Sequence, residues 1–301
     1  MRDTSLEQLD RDPGLWLSVL ELLKPVTWFP PMWAFACGVI ASGVSVPSRW
    51  QFLVGGVLLA GPFLCGTSQV VNDWYDRHVD ALNQPDRPIP SGRIPGRMGF
   101  HIAIVWSFVS MLVAALLGVW VFAAASLGLA LAWAYSAPPF RLKRNGWFGN
   151  LAVGLCYESL PWFTAVAVMS GIQPDVRNVW ILLLYGAGAH GIMTLNDFKS
   201  IDGDRAMGLQ SIPAMYGRRR AAWLACLMML IPQIIVFVLL WQWGLDGYAL
   251  AVAGVTFVQV GLMPRLLSNP KRYAPWYNAT GISLYVSGMM IAAFALRSIA
   301  T

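Results

Sequence analysis

Apolar residues run in nine stretches, each near the ~20 residues that cross a hydrocarbon core. They fall at about 27–46, 51–71, 99–118, 120–137, 150–171, 179–196, 219–240, 247–266 and 277–298. Polar and charged residues gather in the short connections between them. This pattern predicts an all-α polytopic membrane protein, with nine transmembrane helices bundled around a central cavity. A single membrane domain is expected over 1–301, with 1–24 as a cytoplasmic segment ahead of the first span. The third and fourth stretches are divided only by a weak break near Gly118.

Composition agrees with that reading. Of the 301 residues, 57% are hydrophobic and 12% charged, against roughly 25% charged in a soluble domain. Cys37, Cys65, Cys156 and Cys226 are scattered through apolar stretches without a CxxC spacing. They read as small core residues rather than as a disulfide framework or a metal site. The first 24 residues mix acids and bases and hold no short apolar run ending in small residues, so a cleaved signal peptide is not expected. The net charge of +6 raises nucleic acid as a partner, but its distribution removes that class. With a cytoplasmic N-terminus, 18 of the 21 Lys and Arg fall on the inner side, and only Arg49, Arg177 and Arg297 on the outer. Short loops that obey this asymmetry orient the chain with its N-terminus inside.

Two acidic clusters stand where the second and sixth stretches end, both on the inner side: N-D-W-Y-D-R-H-V-D at 72–80 and N-D-F-K-S-I-D-G-D-R at 196–205. Asp73, Asp76 and Asp80 are spaced i, i+3 and i+7, so a helix would align them along one face. Carboxylates stacked beside hydrocarbon repel one another and lose hydration, which makes the cluster a functional-site hypothesis. Each cluster opens on Asn-Asp, and an Ile-Pro follows each, at 89–90 and 212–213. The faint repeat suggests two half-bundles facing one cavity.

Basic residues are interleaved with the acids. Arg77, Arg87 and Arg93 follow the first cluster, Lys199 and Arg205 belong to the second, and Arg141, Lys143 and Arg144 come from the connection between. Carboxylates holding Mg²⁺ among Lys and Arg describe a diphosphate site, the metal bridging phosphate oxygens and the cations neutralising the rest. Arg218, Arg219, Arg220, Lys271 and Arg272 read instead as solvated loop charges. A diphosphate cleaved beside an apolar cavity points to an isoprenoid donor. Its allylic cation would need a dry pocket and would be stabilised by ring faces. The chain holds 15 Trp, 9 Tyr and 14 Phe, none assignable to that role from periodicity. A transporter using midplane acids is the rival from another class. The acids lie at span ends, and no pair of Gly/Pro-broken helices occupies matching midplane positions.

With its second Asp-rich motif and nine stretches, the N-D-x-x-D-x-x-x-D pattern resembles the UbiA superfamily of intramembrane prenyltransferases across nearly the whole chain. Within it, K-P-V-T-W-F-P-P-M-W (24–33), the run from N-D-W-Y-D to S-G-R-I-P (72–95), Y-S-A-P-P-F-R-L-K-R-N-G-W-F-G-N (135–150) and N-D-F-K-S-I-D-G-D-R-A-M-G-L-Q-S-I-P (196–213) look like chlorophyll synthases. The Trp28-Phe29-Pro30-Pro31 and Gly66-Thr67-Ser68-Gln69 wording is similar to the bacteriochlorophyll synthases of purple bacteria.

The resemblance implies a Mg²⁺-dependent transfer of a geranylgeranyl or phytyl group from its diphosphate to the ring propionate of bacteriochlorophyllide a. It implies a bacterial inner-membrane location with a site toward the cytoplasm, and a geranylgeranyl reductase as a partner. Chlorophyllide a, or a quinone or haem precursor, stands as the alternative acceptor. Carried over by position, Asn72, Asp73, Asp76 and Asp80 would bind Mg²⁺ or the diphosphate through it, and Asp197, Asp202 and Asp204 would form the second acidic set. Arg77, Lys143, Lys199 and Arg205 would hold the diphosphate, with Tyr135 near the donor's reactive end. The second motif departs from the D-x-x-x-D form, with Ser200 where the acid preceding Asp204 would fall, so which acids hold a second metal stays open. A propionate is already ionised at neutral pH, with a pKa roughly that of Glu, about 4.3, and needs no general base. His190 is a candidate axial ligand for the acceptor's Mg²⁺. His78 would only tune the motif, His101 has no argued role, and Glu158 is an intramembrane acid of either functional or packing origin.

Overall fold

A computed structural model describes residues 14–300. Residues 1–13 of the expected 1–24 segment, with Arg2 and Arg11, lie outside the described residues, as does Thr301. The described chain is helical, and its one β-type contact is an isolated parallel bridge between Asn145 and Gln210.

Among the described residues, eight helices are long and apolar enough to cross a membrane. In chain order the helices are α1 (Leu15–Leu23), α2 (Phe29–Ala41), α3 (Trp50–Asn83), α4 (Met98–Leu117), α5 (Val119–Ser136) and α6 (Gly146–Ser170). They continue with α7 (Val176–Asn196), α8 (Ile201–Ala206), α9 (Ile212–Gln242), α10 (Asp246–Ser268) and α11 (Pro270–Arg297). The eight long ones correspond to the second through ninth apolar stretches. The first stretch, 27–46, is shorter than expected: α2 has 13 residues, entered through the 3-10 turn Pro25–Trp28. Proline supplies the fixed φ that starts that turn, and Pro30 and Pro31 fall in the first turn of α2, where the missing N–H costs nothing.

Most boundaries have a local cause. The Asn145 side chain accepts from the backbone N–H of Trp147 and Phe148 to cap α6, Asp175 caps α7 through Asn178 N, and Asn269 caps α11 through Arg272 N. Gly118 separates α4 from α5 at φ +133, a backbone angle open to glycine alone, and so turns a weak break into a real one. Two wide π segments interrupt otherwise regular helices, Leu59–Cys65 in α3 and Leu155–Ser159 in α6. Pro62 contributes to the first by withholding a backbone donor.

The core is shared among the helices. Trp162, Tyr185, Met229 and Tyr285 pack together from α6, α7, α9 and α11, joined by Ala34 and Cys37 of α2. A second cluster joins Phe35, Leu59, Ala114, Val121 and Ala165 from α2 to α6. Inside the bundle Gln233 Nε2 donates to Gln259 Oε1 at 2.5 Å, tying α9 to α10 with a hydrogen bond that hydrocarbon cannot replace. At one end α1 packs Val19, Leu22 and Leu23 onto Val70, Val71 and Ile94, while Leu15, Trp16, Leu17 and Leu20 stay exposed. That two-sided character suits a helix lying in a membrane interface. The same end collects Lys24, both acidic clusters and the 137–145 connection. The other collects Gly43, against Ala300, and Arg49, which donates to Val168 O at 3.1 Å.

Candidate active site

The first acidic motif is helical as its spacing predicts, lying in the last turns of α3. The helix presents its three acids on one face: at about 100° per residue they fall within an arc of about 60°, with Asp80 between Asp73 and Asp76. Their partners divide across that face. Lys24 Nζ donates to Asp73 Oδ1 at 2.6 Å, and Arg87 Nη1 bridges Asp80 Oδ2 at 2.6 Å and Asp73 Oδ1 at 3.4 Å. Asp76 takes Lys143 Nζ at 2.6 Å and Arg141 Nη2 at 3.4 Å. Asn72, one turn from Asp76, donates its Nδ2 to Ser136 Oγ at 3.2 Å. Asp73 is 2% exposed, and its Oδ2 is buried with no hydrogen-bond partner among the described residues.

The second motif is built from the end of α7, the 3-10 turn Asp197–Lys199 and α8. Asp204 is buried and accepts two hydroxyls, Ser211 Oγ at 2.6 Å and Ser200 Oγ at 3.1 Å. Asn196 Oδ1 accepts from Asn278 Nδ2 of α11 at 2.8 Å. Asp202 lies apart: it is exposed and pairs with Lys271 at 3.2 Å. Tyr135, at the end of α5, stands within electrostatic reach of Asp197, Asp76 and Asp204, so the two motifs do converge.

Two backbone bonds stitch the halves together, Gly146 N to Gln210 O at 2.7 Å and Gln210 N to Arg144 O at 2.9 Å. They fix the turn that carries Lys143 beside the segment that follows Asp204. Gly146 is required there, because a Cβ would stand 2.7 Å from the Ile212 backbone N. Burial pushes the Lys143 ammonium below the usual lysine value, against the pull of Asp76.

Below this charged rim opens an apolar cavity of about 380 Å³, with Asn72, Tyr135 and Asn196 at its mouth and Leu59, Ala124 and Thr164 at depth. Leu59 and Asn72 lie on one helix 13 positions apart, which makes the cavity about 20 Å deep. Both π segments border it, through Leu64 and Cys65 on one side and Cys156 and Tyr157 on the other. Tyr157 OH accepts from Gln69 Nε2 at 2.9 Å, which turns the ring into the wall.

The remaining sequence candidates are dispersed. Arg77 folds back over the Trp74 ring, 4.1 Å from its centroid, and donates to Trp74 O. Lys199 is exposed, and Arg205 donates to Ala214 O. His190 lies outside the cavity lining, its ring 5.0 Å from Trp147 and both nitrogens buried without a partner among the described residues. Glu158 is buried in the α6 π segment with Oε2 unpartnered. His78 is exposed, and His101 is exposed beside Phe100. Lys24, Tyr157 and Asn278 were absent from the sequence candidates. Lys24 had a signal in the K-P-V-T-W wording, whereas Tyr157 and Asn278 lie inside apolar stretches with none.

Among the described residues no three of His, Cys, Asp and Glu come close enough to enclose an ion by themselves. Mg²⁺ needs no such enclosure, since it binds through one or two carboxylates and completes its shell with water and substrate phosphate. The buried, unpartnered Asp73 Oδ2, the Asn72 side chain at the cavity mouth and the Asp76 carboxylate one turn further along the helix are oxygen donors of the kind it takes.

Residues 29–287 match the UbiA prenyltransferase family. The "Bacteriochlorophyll synthase 33 kDa chain" of Cereibacter sphaeroides is 51% identical over 282 residues, covering 94% of this chain and 93% of that one. "Chlorophyll synthase, chloroplastic" of Oryza sativa is 39% identical, covering 95% of this chain and 78% of that one. A UbiA homolog from Archaeoglobus fulgidus, solved bound to GPP and Mg²⁺, has the same fold, with a TM-score of 0.69 at 22% identity over 89% of this chain and 99% of that one.

Proposed function

Because this chain belongs to the UbiA prenyltransferase family, we propose that it esterifies bacteriochlorophyllide a, transferring a geranylgeranyl or phytyl group from its diphosphate to the ring propionate. The observation that carries this reading is the 51% identity, across nearly the whole chain, to a bacteriochlorophyll synthase. The charged rim over a deep apolar cavity supports the chemistry.

Mg²⁺, when bound, would be held by Asn72 and Asp76, with Asp197 from the second motif, and would draw charge from the diphosphate oxygens. Lys143 and Arg141, at the same rim, neutralise the charge that builds on the leaving group. The bond between the prenyl carbon and the diphosphate oxygen breaks, and a propionate oxygen supplies the electron pair for the new carbon–oxygen bond. No proton moves, since the propionate is already ionised. The apolar walls take the prenyl tail and exclude water, and the Tyr135 and Tyr157 rings border the path of the allylic cation. The charge asymmetry supports an inner-membrane orientation with the rim toward the cytoplasm, where a reductase of the prenyl tail would have access.

The test is purified protein with Mg²⁺, geranylgeranyl diphosphate and either bacteriochlorophyllide a, chlorophyllide a or the propionate methyl ester of the first. Chromatography should find the prenyl ester from bacteriochlorophyllide a and none from the blocked ester. A prenylated product from the methyl ester would mean attack at another atom. Preference for chlorophyllide a would move the assignment to chlorophyll synthesis.

A further inference from the structure

The two acidic segments match in register 124 positions apart: Asn72, Asp73, Asp76 and Asp80 correspond to Asn196, Asp197, Ser200 and Asp204. The side chains keep the correspondence, since Asp80 takes Arg87 and Asp204 takes Ser211, each seven residues further on. Both leading asparagines line the cavity mouth, yet their amides are held in opposite senses. Asn72 spends an N–H on Ser136 Oγ, at 3.2 Å, which leaves its carbonyl oxygen for the cavity. Asn196 spends its carbonyl oxygen on Asn278 Nδ2, at 2.8 Å, which leaves its NH₂ group, whose nearest acceptor is the weak thioether of Met193 at 3.9 Å. One turn on, the halves differ again. Asp76 keeps a carboxylate at the rim, while Ser200 turns its hydroxyl into Asp204 at 3.1 Å. The first half therefore offers lone pairs, which a cation needs, and the second half offers N–H, which a phosphate oxygen needs.

Resting on the reading of the site as one for a prenyl diphosphate, we propose that Asn196 is a hydrogen-bond donor to the diphosphate and not a metal ligand, and that Asn278 of α11 is the positioning residue that fixes its amide in that sense. α11 thereby takes part in substrate binding although none of its residues lines the cavity.

Binding of Mn²⁺, followed by its paramagnetic resonance without substrate, separates the two roles from binding of inorganic pyrophosphate at saturating Mg²⁺, followed by calorimetry. Asn196→Ala should weaken pyrophosphate about tenfold, as for one hydrogen bond to a charged group, and leave Mn²⁺ affinity unchanged. Asn72→Ala should do the reverse. Asn278→Asp, which can only accept and so turns the Asn196 amide around, should weaken pyrophosphate as much as Asn196→Ala. Asn278→Leu serves as a second disruption, with thermal unfolding recorded for each variant. Loss of Mn²⁺ affinity in Asn196→Ala overturns the inference and leaves the proposed function standing. Unchanged pyrophosphate affinity in a folded Asn278→Asp removes the positioning role. Wild-type protein that binds neither Mn²⁺ nor pyrophosphate overturns the diphosphate reading together with the inference.

Discussion

Asp76 and Asp73 are three residues apart and do different work. Asp76 faces Lys143 and Arg141 in the charged rim. Asp76→Asn keeps the volume and removes the charge, so ester formation should fall at least about 100-fold, the upper end of what even supporting partners of a metal contribute. The unfolding midpoint in detergent should fall modestly, since Lys143 loses its carboxylate partner, while the protein stays folded. Full activity in the folded variant would sink the metal role. Asp73 is enclosed, and Lys24 is its main partner. Lys24→Met should strand a buried carboxylate at a cost of about 3–5 kcal/mol, reduced by what Arg87 still supplies. A large drop in midpoint that Lys24→Arg largely restores is the expected result, and an unchanged midpoint would contradict it. The acids themselves were legible in the sequence, because ionised groups clustered at the end of an apolar stretch lose hydration that only cations can replace. Their division between two sets of cations was not, since Lys24 stands 49 positions before Asp73 and only folding joins them.

At the scale of the element, the long helices were legible because each must bury or present apolar residues over a full membrane thickness. Their ends mostly fall within a few residues of the apolar stretches. α3 overruns its stretch by 12 residues, from 71 to Asn83, because Gly66–Asn83 keeps Val70, Val71, Asp73 and Asp80 buried while its remaining faces turn polar. The contact between the 144–146 and 210–212 segments had no sequence signal, since it rests on a glycine whose requirement appears only when Ile212 arrives beside it. Gly146→Ala should overpack that contact and cost about 1–3 kcal/mol, with reduced ester formation as Lys143 shifts. Gly203→Ala, where a Cβ meets open space, is the control and should leave both unchanged. Equal effects in the two variants would remove the argument from close approach.

For the whole molecule, the charge distribution states which way the chain should lie across the membrane. Three native cysteines are buried and Cys156 borders the cavity, so single exposed cysteines can be read against a quiet background. Arg144→Cys, at the charged end, should react with a membrane-impermeant thiol reagent only in inverted vesicles. Ser48→Cys, at the other end, should react only from the opposite face, in right-side-out vesicles. Labelling in the opposite sense would overturn the cytoplasmic site. The general plan of a bundle around a cavity was readable from apolar lengths and two repeated motifs. The depth and path of the cavity were not, because its walls are ordinary Ala, Leu and Gly, residues that look identical whether they face lipid or substrate.

The wide turns at 59–65 and 155–159 act as insertions written into the helices. A π turn accommodates one residue more than an α turn, so it sets the stretch after it out of phase with the stretch before by about 100°. Removing one residue from 59–65 would therefore do more than shorten α3. It would re-index the helix, swinging Asn72 off the cavity mouth and Asp76 away from Lys143 while every residue of the acidic motif remained present. A deletion in the 84–97 connection, which holds no helical phase, would lack that effect. Length variation in this protein is thus constrained most tightly in two segments that carry no catalytic side chain from the acidic motifs, and alignments that place a gap there would misassign the whole site.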